Sequence, residues 1–109
     1  MAKSSAWGLK SGSKTLTTAS TVYALGTGLA MSELYVMAGS GNTGDAYIGG
    51  SDVSSTTGIL LSKTVPLKLP HVLAAGFGES YDLAGVFVVG TQNGDTVKFF
   101  YANKFDVEV

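Results

Sequence analysis

Asn42-Thr43-Gly44-Asp45-Ala46-Tyr47-Ile48-Gly49-Gly50-Ser51-Asp52-Val53-Ser54-Ser55-Thr56-Thr57-Gly58-Ile59-Leu60-Leu61 reads as a turn, a short strand, a long polar loop and a second strand. Gly44, Gly49, Gly50 and Gly58 supply backbone angles that other residues resist. Asp45, Asp52, Ser54, Ser55 and Thr56 can bond their own main chain and hold the loop without a helix. Hydrophobic runs flank the stretch: Leu34 to Ala38 before it, Val65 to Leu69 after it. This is the middle of an all-β domain. The fold expected is an antiparallel β-sandwich, jelly-roll-like, with an extended N-terminal arm.

The 109 residues suffice for one sandwich and are too few for two. Charged residues make up only 14%, against roughly 25% in average domains, while 45% are hydrophobic. A chain so poor in surface charge is expected to cover apolar surface with a partner. All seven basic residues are lysine. Without the bidentate guanidinium, nucleic acid is not an expected partner. With no cysteine, disulfides and thiolate metal sites are excluded. No apolar run approaches the roughly 20 residues that span a bilayer, so no membrane partner is expected. Met1 to Lys14 lacks the apolar segment of a signal peptide, which implies a soluble product made in the cytoplasm.

Residues 1–13, with serines, two glycines and Trp7-Gly8-Leu9, read as an extended arm; residues 14–109 read as the sandwich. Lys3, Lys10 and Lys14 are the only charges before Glu33, so the first 32 residues carry +3 and the rest, four lysines against eight acids, −4. Exposed tryptophan is costly, which makes Trp7 and Leu9 candidate docking residues. Thr15 to Thr18 and Thr21 to Leu25 predict two strands broken at Ala19-Ser20. Leu34 to Met37 favours a strand from Glu33, buried on both faces. Pro66 places its strand at an edge or bulge. His71 to Tyr81 reads as a one-turn helix or a loop over the sheet. Asn93-Gly94, between Gly85 to Val89 and Thr96 to Tyr101, predicts a type I′ hairpin. Val86 to Val89 is apolar on both faces. Since a small sandwich has one interior, the second face implies a subunit interface. Tyr35, Met37, Phe87, Val89 and Phe100 are its candidate residues, with Trp7 and Leu9 from the arm.

Catalytic signals are weak. His71, the single histidine, has no Gly-x-Ser-x-Gly elbow near it and reads as a loop residue. One imidazole rules out multi-histidine metal sites. Asp45, Asp52, Asp82 and Asp95 sit at turns, where aspartate ordinarily serves Asx hydrogen bonds, and none fits the calcium-loop spacing. An ion or glycan at the Asp45 and Asp52 loops stays open. Gly39-Ser40-Gly41 and Gly49-Gly50-Ser51 lack the lysine and helix of a phosphate cradle. No cofactor, metal or enzymatic activity is expected.

The segment Gly44 to Leu61, with Gly49-Gly50-Ser51-Asp52-Val53 as its distinctive core, resembles small β-sandwich virion proteins of tailed bacteriophages. The later part matches at Gly85-Val86-Phe87-Val88-Val89-Gly90 and Val97-Lys98-Phe99-Phe100-Tyr101, and the similarity spans about residues 15–102. The resemblance implies a capsid decoration (cement) protein on the virion surface, without enzymatic activity. It implies two partners: the major capsid protein, and other copies of the chain, a trimer foremost. Many copies would bridge capsid subunits by burying apolar surface at roughly 25 cal/mol per Å². A different class of function is a host-glycan-binding adhesion module of a fibre or tail tip, with the Gly49 to Gly58 loop and its tyrosine neighbours as the site. A head–tail connector or tail component is a further structural alternative.

Overall fold

The computed structural model describes the main chain of residues 3–30, 32–69 and 81–108, and the side chains of 8–30, 33–69 and 82–103. Ten strands follow in order: β1 (Lys3–Leu16), β2 (Tyr23–Ala24), β3 (Leu29–Ala30), β4 (Ser32–Ala38), β5 (Ala46–Gly49), β6 (Ile59–Leu60), β7 (Leu67–Lys68), β8 (Tyr81–Asp82), β9 (Phe87–Gly90) and β10 (Asp95–Glu108). One sheet runs β1-β10-β4-β7 and the other β2-β9-β5-β6, all pairs antiparallel; β3 and β8 form a small third ladder. Apart from the β5–β6 hairpin and the β3–β8 ladder, consecutive strands lie in opposite sheets, and they interleave in the order of a jelly roll. The expected fold class is therefore the observed one.

The two inner faces supply the core. From the first sheet come Leu16, Leu34, Val36, Ala38, Val97, Phe99 and Tyr101. From the second come Ala46, Ile48 and Val88, with Leu25, Leu61, Leu83 and Val86 closing the ends. The period of two behind this selection is visible in β4, where Leu34, Val36 and Ala38 are buried while Tyr35 and Met37 are half-buried. The expectation that this strand is buried on both faces is thus corrected. Its second face is an outer surface of the sandwich.

The Asn93-Gly94 hairpin is a second correction. β9 and β10 belong to different sheets and do not pair with each other. Gly94 alone takes a left-handed angle (φ 82°), so the turn is not type I′, which needs positive φ at both central residues. Its N–H donates instead to the Leu16 carbonyl (2.8 Å), and Asn93 Oδ1 accepts from the Ala19 N–H (2.7 Å). The two-residue signature marked a reversal correctly, but the reversal is a corner between sheets. Likewise the break expected at Ala19-Ser20 is a sheet crossing, with Ser20 at φ 60°.

The expected arm is extended from Lys3 onward, yet it does not stand alone. It is continuous with β1 and pairs with β10 without a register break from Lys3↔Glu108 to Leu16↔Asp95. Trp7 lies opposite Lys104 in that ladder. β4 accompanies β10 only from Val97 to Ala102. Beyond it, Lys3 to Gly8 and Asn103 to Glu108 form a two-stranded ribbon of about 20 Å, at the usual strand rise. The step between Phe100↔Tyr35 and Ala102↔Ser32 is a bulge with its extra residue on β4, where Glu33 is left-handed (φ 49°). β7, directly after Pro66, is an edge strand as expected. His71 and the helix or loop reading of its neighbours lie outside the described residues.

Leu16 is fully buried at the end of β1, and its Cδ1 lies 2.7 Å from where a Cβ on Gly90 would stand. Leu16→Ala is expected to cost about 2–5 kcal/mol in denaturant unfolding. Leu60→Ala, at a side chain 56% exposed, stays within about 0.5 kcal/mol.

Candidate functional site

Because side chains alternate along a strand, the ladder positions assign each residue to a face. The outer face of the first sheet carries Leu9, Ser11 and Ser13 from β1, Lys98, Phe100 and Ala102 from β10, Tyr35 and Met37 from β4, and Lys68 from β7. Four of the seven candidate interface residues, Leu9, Tyr35, Met37 and Phe100, therefore share one surface. Tyr35 and Phe100 are direct cross-strand partners, and their rings stack at 4.9 Å between centroids with planes 5° apart. Such a pair contributes about 0.5–1.5 kcal/mol beyond its buried area and holds both rings in one orientation. With Met37, Pro66, Lys98 and Ser13 they line an open groove of about 490 Å³. Leu9, 72% exposed, lies further along the same face. Lys68, rimming it, meets Glu33 at 3.6 Å in an exposed ion pair that contributes little.

The outer face of the second sheet is different. Phe87 and Val89 lie there beside Tyr47, Gly49 and Leu60. Val89 is only 5% exposed although it is not part of the main core. The polar loop after β5 folds back and lays Val53, equally buried, over this sheet. A Cβ on Gly49 would stand 2.9 Å from Val53, and one on Gly58 would stand 2.7 Å from both Tyr47 and Val53. The two glycines are thus required by close approach. The chain itself covers the Val89 surface that the sequence assigned to a subunit partner, while Phe87 remains half-buried.

The same loop is the candidate glycan site. Ser54 accepts from the Thr56 and Thr57 N–H groups, and its hydroxyl meets both threonine hydroxyls at 2.9 and 3.0 Å. The hydroxyls of Ser54, Thr56 and Thr57 thus bond to one another on an exposed loop. The cavity between Tyr47, Val53, Ser54, Ser55, Val89 and Thr91 measures about 130 Å³, below the roughly 300 Å³ at which small-molecule sites begin. Tyr47 is its single aromatic wall.

The turn aspartates divide into two kinds. Asp82 caps the short 3-10 turn Leu83–Gly85 by accepting from the Ala84 N–H (3.0 Å), an Asx bond as expected. Asp45 and Asp52 are exposed. Among the described residues, no group of three His, Cys, Asp or Glu is placed to hold a metal ion. Asp95 is 5% exposed and accepts three hydrogen bonds, from the Thr43 N–H (3.0 Å), the Thr43 hydroxyl (3.4 Å) and the Gly44 N–H (2.9 Å). Beside it Asn42, also buried, donates to the Thr96 carbonyl and accepts from the Thr96 N–H, both at 2.8 Å, in imitation of a strand partner. Lys63 Nζ closes the cluster on the Asn42 carbonyl (2.8 Å). By its sequence context Asp95 has the same standing as the other turn aspartates. Its burial depends on contacts about fifty positions away and left no local signal.

Trp7 is placed by its main chain alone, and its side chain lies outside the described residues, as does His71 entirely. No helix among the described residues is long and apolar enough to cross a membrane. No family model, no curated protein and no solved structure matches the chain.

The Thr43 N–H foremost, with the Gly44 N–H, the Thr43 hydroxyl and the Lys63 charge, holds the Asp95 carboxyl below its ordinary range, against burial, which pushes it up. A depressed folded pKa stabilises the fold above the unfolded carboxylate pKa, about 3.9, and that contribution disappears as pH falls through the folded value. Asp95→Asn is expected to be less stable at neutral pH, where its amide N–H₂ confronts main-chain donors. It should also lose part of the acid dependence below pH ~4. Unfolding titrations of both proteins across the acid range measure this; parallel pH profiles would contradict it.

Proposed function

We propose that this chain is a structural virion protein of a tailed phage, a capsid decoration protein that binds the outer shell and bridges neighbouring capsid subunits. The observation that carries the reading is the outer face of the first sheet. Stacked Tyr35 and Phe100, with Met37 beside them and Leu9 further along, form a preordered aromatic and aliphatic surface that no part of the described chain covers. Aromatic residues held in one rotamer lose little entropy on docking and are the usual anchors of protein interfaces. The low charge content and the jelly-roll fold, which recurs among capsid and lectin domains, support the same reading. Fold likeness is only an analogy, and the specific assignment to a phage head comes from the Gly49-Gly50-Ser51-Asp52-Val53 resemblance. The glycan reading has less support, because the loop's hydroxyls bond one another and its cavity is small.

In this mechanism the protein acts by adhesion. The sandwich stays rigid, the major capsid protein covers the Tyr35–Phe100 surface, and apolar area removed from water resists the outward pressure of packaged DNA. The test is cosedimentation of the purified chain with empty heads of the encoding phage, and its location in the particle by electron microscopy. Tyr35→Ala and Phe100→Ala should each weaken binding at least tenfold, about 1.4 kcal/mol. Undiminished binding by both variants would remove this face from the interface. Specific glycan capture without head binding would reverse the assignment in favour of adhesion.

A further inference from the structure

We infer that β1 is a self-association edge, and that two copies join β1 to β1 antiparallel about a two-fold axis at Leu9. The starting observation is an asymmetry among the sheet edges. β7, β2 and β6, the other three edges of the sandwich, are two residues long each, and Pro66 precedes β7. Short edges and prolines are the ordinary means by which sheets avoid pairing with other chains. β1 has neither. It runs 14 residues, contains no proline, bulge or left-handed residue, and pairs with β10 on one side only. Among the described residues a row of main-chain donors and acceptors is therefore left for a partner or for water.

Three features favour a second copy as the occupant. First, Leu9, near the middle of β1, is at 72% the most exposed of the large hydrophobics among the described residues. A two-fold axis there sets the two leucines opposite each other and withdraws both from water. Second, lysine is the one guard this edge has, at positions 3, 10 and 14. In the Leu9-centred register Lys10 faces Gly8, Lys14 faces Ser4 and Lys3 faces Thr15. No lysine then opposes another, whereas a register centred on Lys10 stacks like charge on like charge. The lysines select a register and do not forbid pairing. Third, the ribbon of Lys3 to Gly8 with Asn103 to Glu108 has no third strand among the described residues. Two-stranded ribbons are marginal in water. In the joined sheet each ribbon lies against the partner's residues 10–15, which are the part of β1 backed by the sandwich. The two outer faces merge through Leu9 into one surface carrying both Tyr35–Phe100 pairs.

This interface closes as a dimer because its symmetry is isologous, and so departs from the trimer the resemblance implies. It does not rest on the virion reading: a dimer that ignores phage heads would keep the one and sink the other. Light scattering of the purified full chain should give twice the 11.2 kDa chain mass. Leu9→Lys and Leu9→Glu, at an exposed position, should each give folded monomers, and an equimolar mixture should return to the doubled mass. The chain has no cysteine, so Leu9→Cys supplies a single thiol. Opposed residues in antiparallel strands have Cα atoms about 4.5–5.5 Å apart, within disulfide reach. Two thiolates at Leu9→Cys, oxidised by diamide with loss of two electrons, should form one S–S bond per dimer, while Thr27→Cys, at an exposed turn away from β1, forms the same dimer without a cross-link. A wild-type monomer or trimer overturns the inference. So does a dimer that survives Leu9→Lys, or cross-linking at Leu9→Cys no faster than at Thr27→Cys.

Discussion

Asn42 and Asp95 hold the end of the sandwich where the chain changes sheets four times, between Leu16 and Tyr23, between Ala38 and Ala46, between Leu60 and Leu67, and between Gly90 and Asp95. A crossing strand gives up its ladder partners, and every main-chain polar group in the crossing then needs another. Here the crossings satisfy one another. Asn42 pairs with both main-chain groups of Thr96, Asp95 receives the Thr43 and Gly44 N–H groups, and Thr91 exchanges hydrogen bonds with Asp45. Gly94 and Ser20 tie the first crossing to the fourth through Leu16 and Gly90. If Asp95 were apolar, the Thr43 and Gly44 donors, part-buried at this corner, would lose their acceptors. No buried side-chain polar atom among the described residues lacks a partner, so this network is satisfied throughout.

Bracing the crossings at this end has a geometric consequence at the other. β1 and β10 are fixed to each other and to the sandwich from Leu16↔Asp95 inward, and the remaining length of both is released beyond β4 as a ribbon. The molecule is accordingly long, 51 × 31 × 22 Å, with a radius of gyration of 15.3 Å against about 13 Å for a compact chain of this size. One end is cross-braced by polar bonds and the other projects. The two outer faces differ in the same way. Val53 and its loop cover the second sheet, whereas the first sheet leaves Tyr35, Met37 and Phe100 to whatever docks there.

Much of this was legible in the sequence, because alternation and glycine placement are local. The strands around Leu34, Tyr47, Leu67 and Val88, the edge at Pro66, and the grouping of Tyr35, Met37 and Phe100 all follow from a period of two. What failed to show was nonlocal. Asn93-Gly94 specifies a reversal but cannot say whether the strands it joins will pair. Val89 looked two-faced because nothing in Val86 to Val89 records that a loop beginning at Gly50 returns to cover it. Asp95 resembled every other turn aspartate, since its donors come from Thr43 and Gly44, more than fifty residues earlier. The arm was read as separate because its pairing partner, the far end of β10, lies at the opposite terminus.

The corner and the free face act together in any adhesive role. A protein that resists force through its partners must not itself yield, and a jelly roll whose crossings are mutually bonded gives the sheets little freedom to slide. Hydrogen bonds tie the Gly90–Asp95 crossing both to the crossing after Leu16 and to the one after Ala38, so opening it requires breaking bonds to both. The rigid end thereby keeps Tyr35 and Phe100 in register on their strands, and a stacked pair fixed before contact loses little entropy when it docks. Stiffness at the Asn42–Asp95 end is in this sense the physical condition for affinity on the opposite sheet face, although the two share no residue.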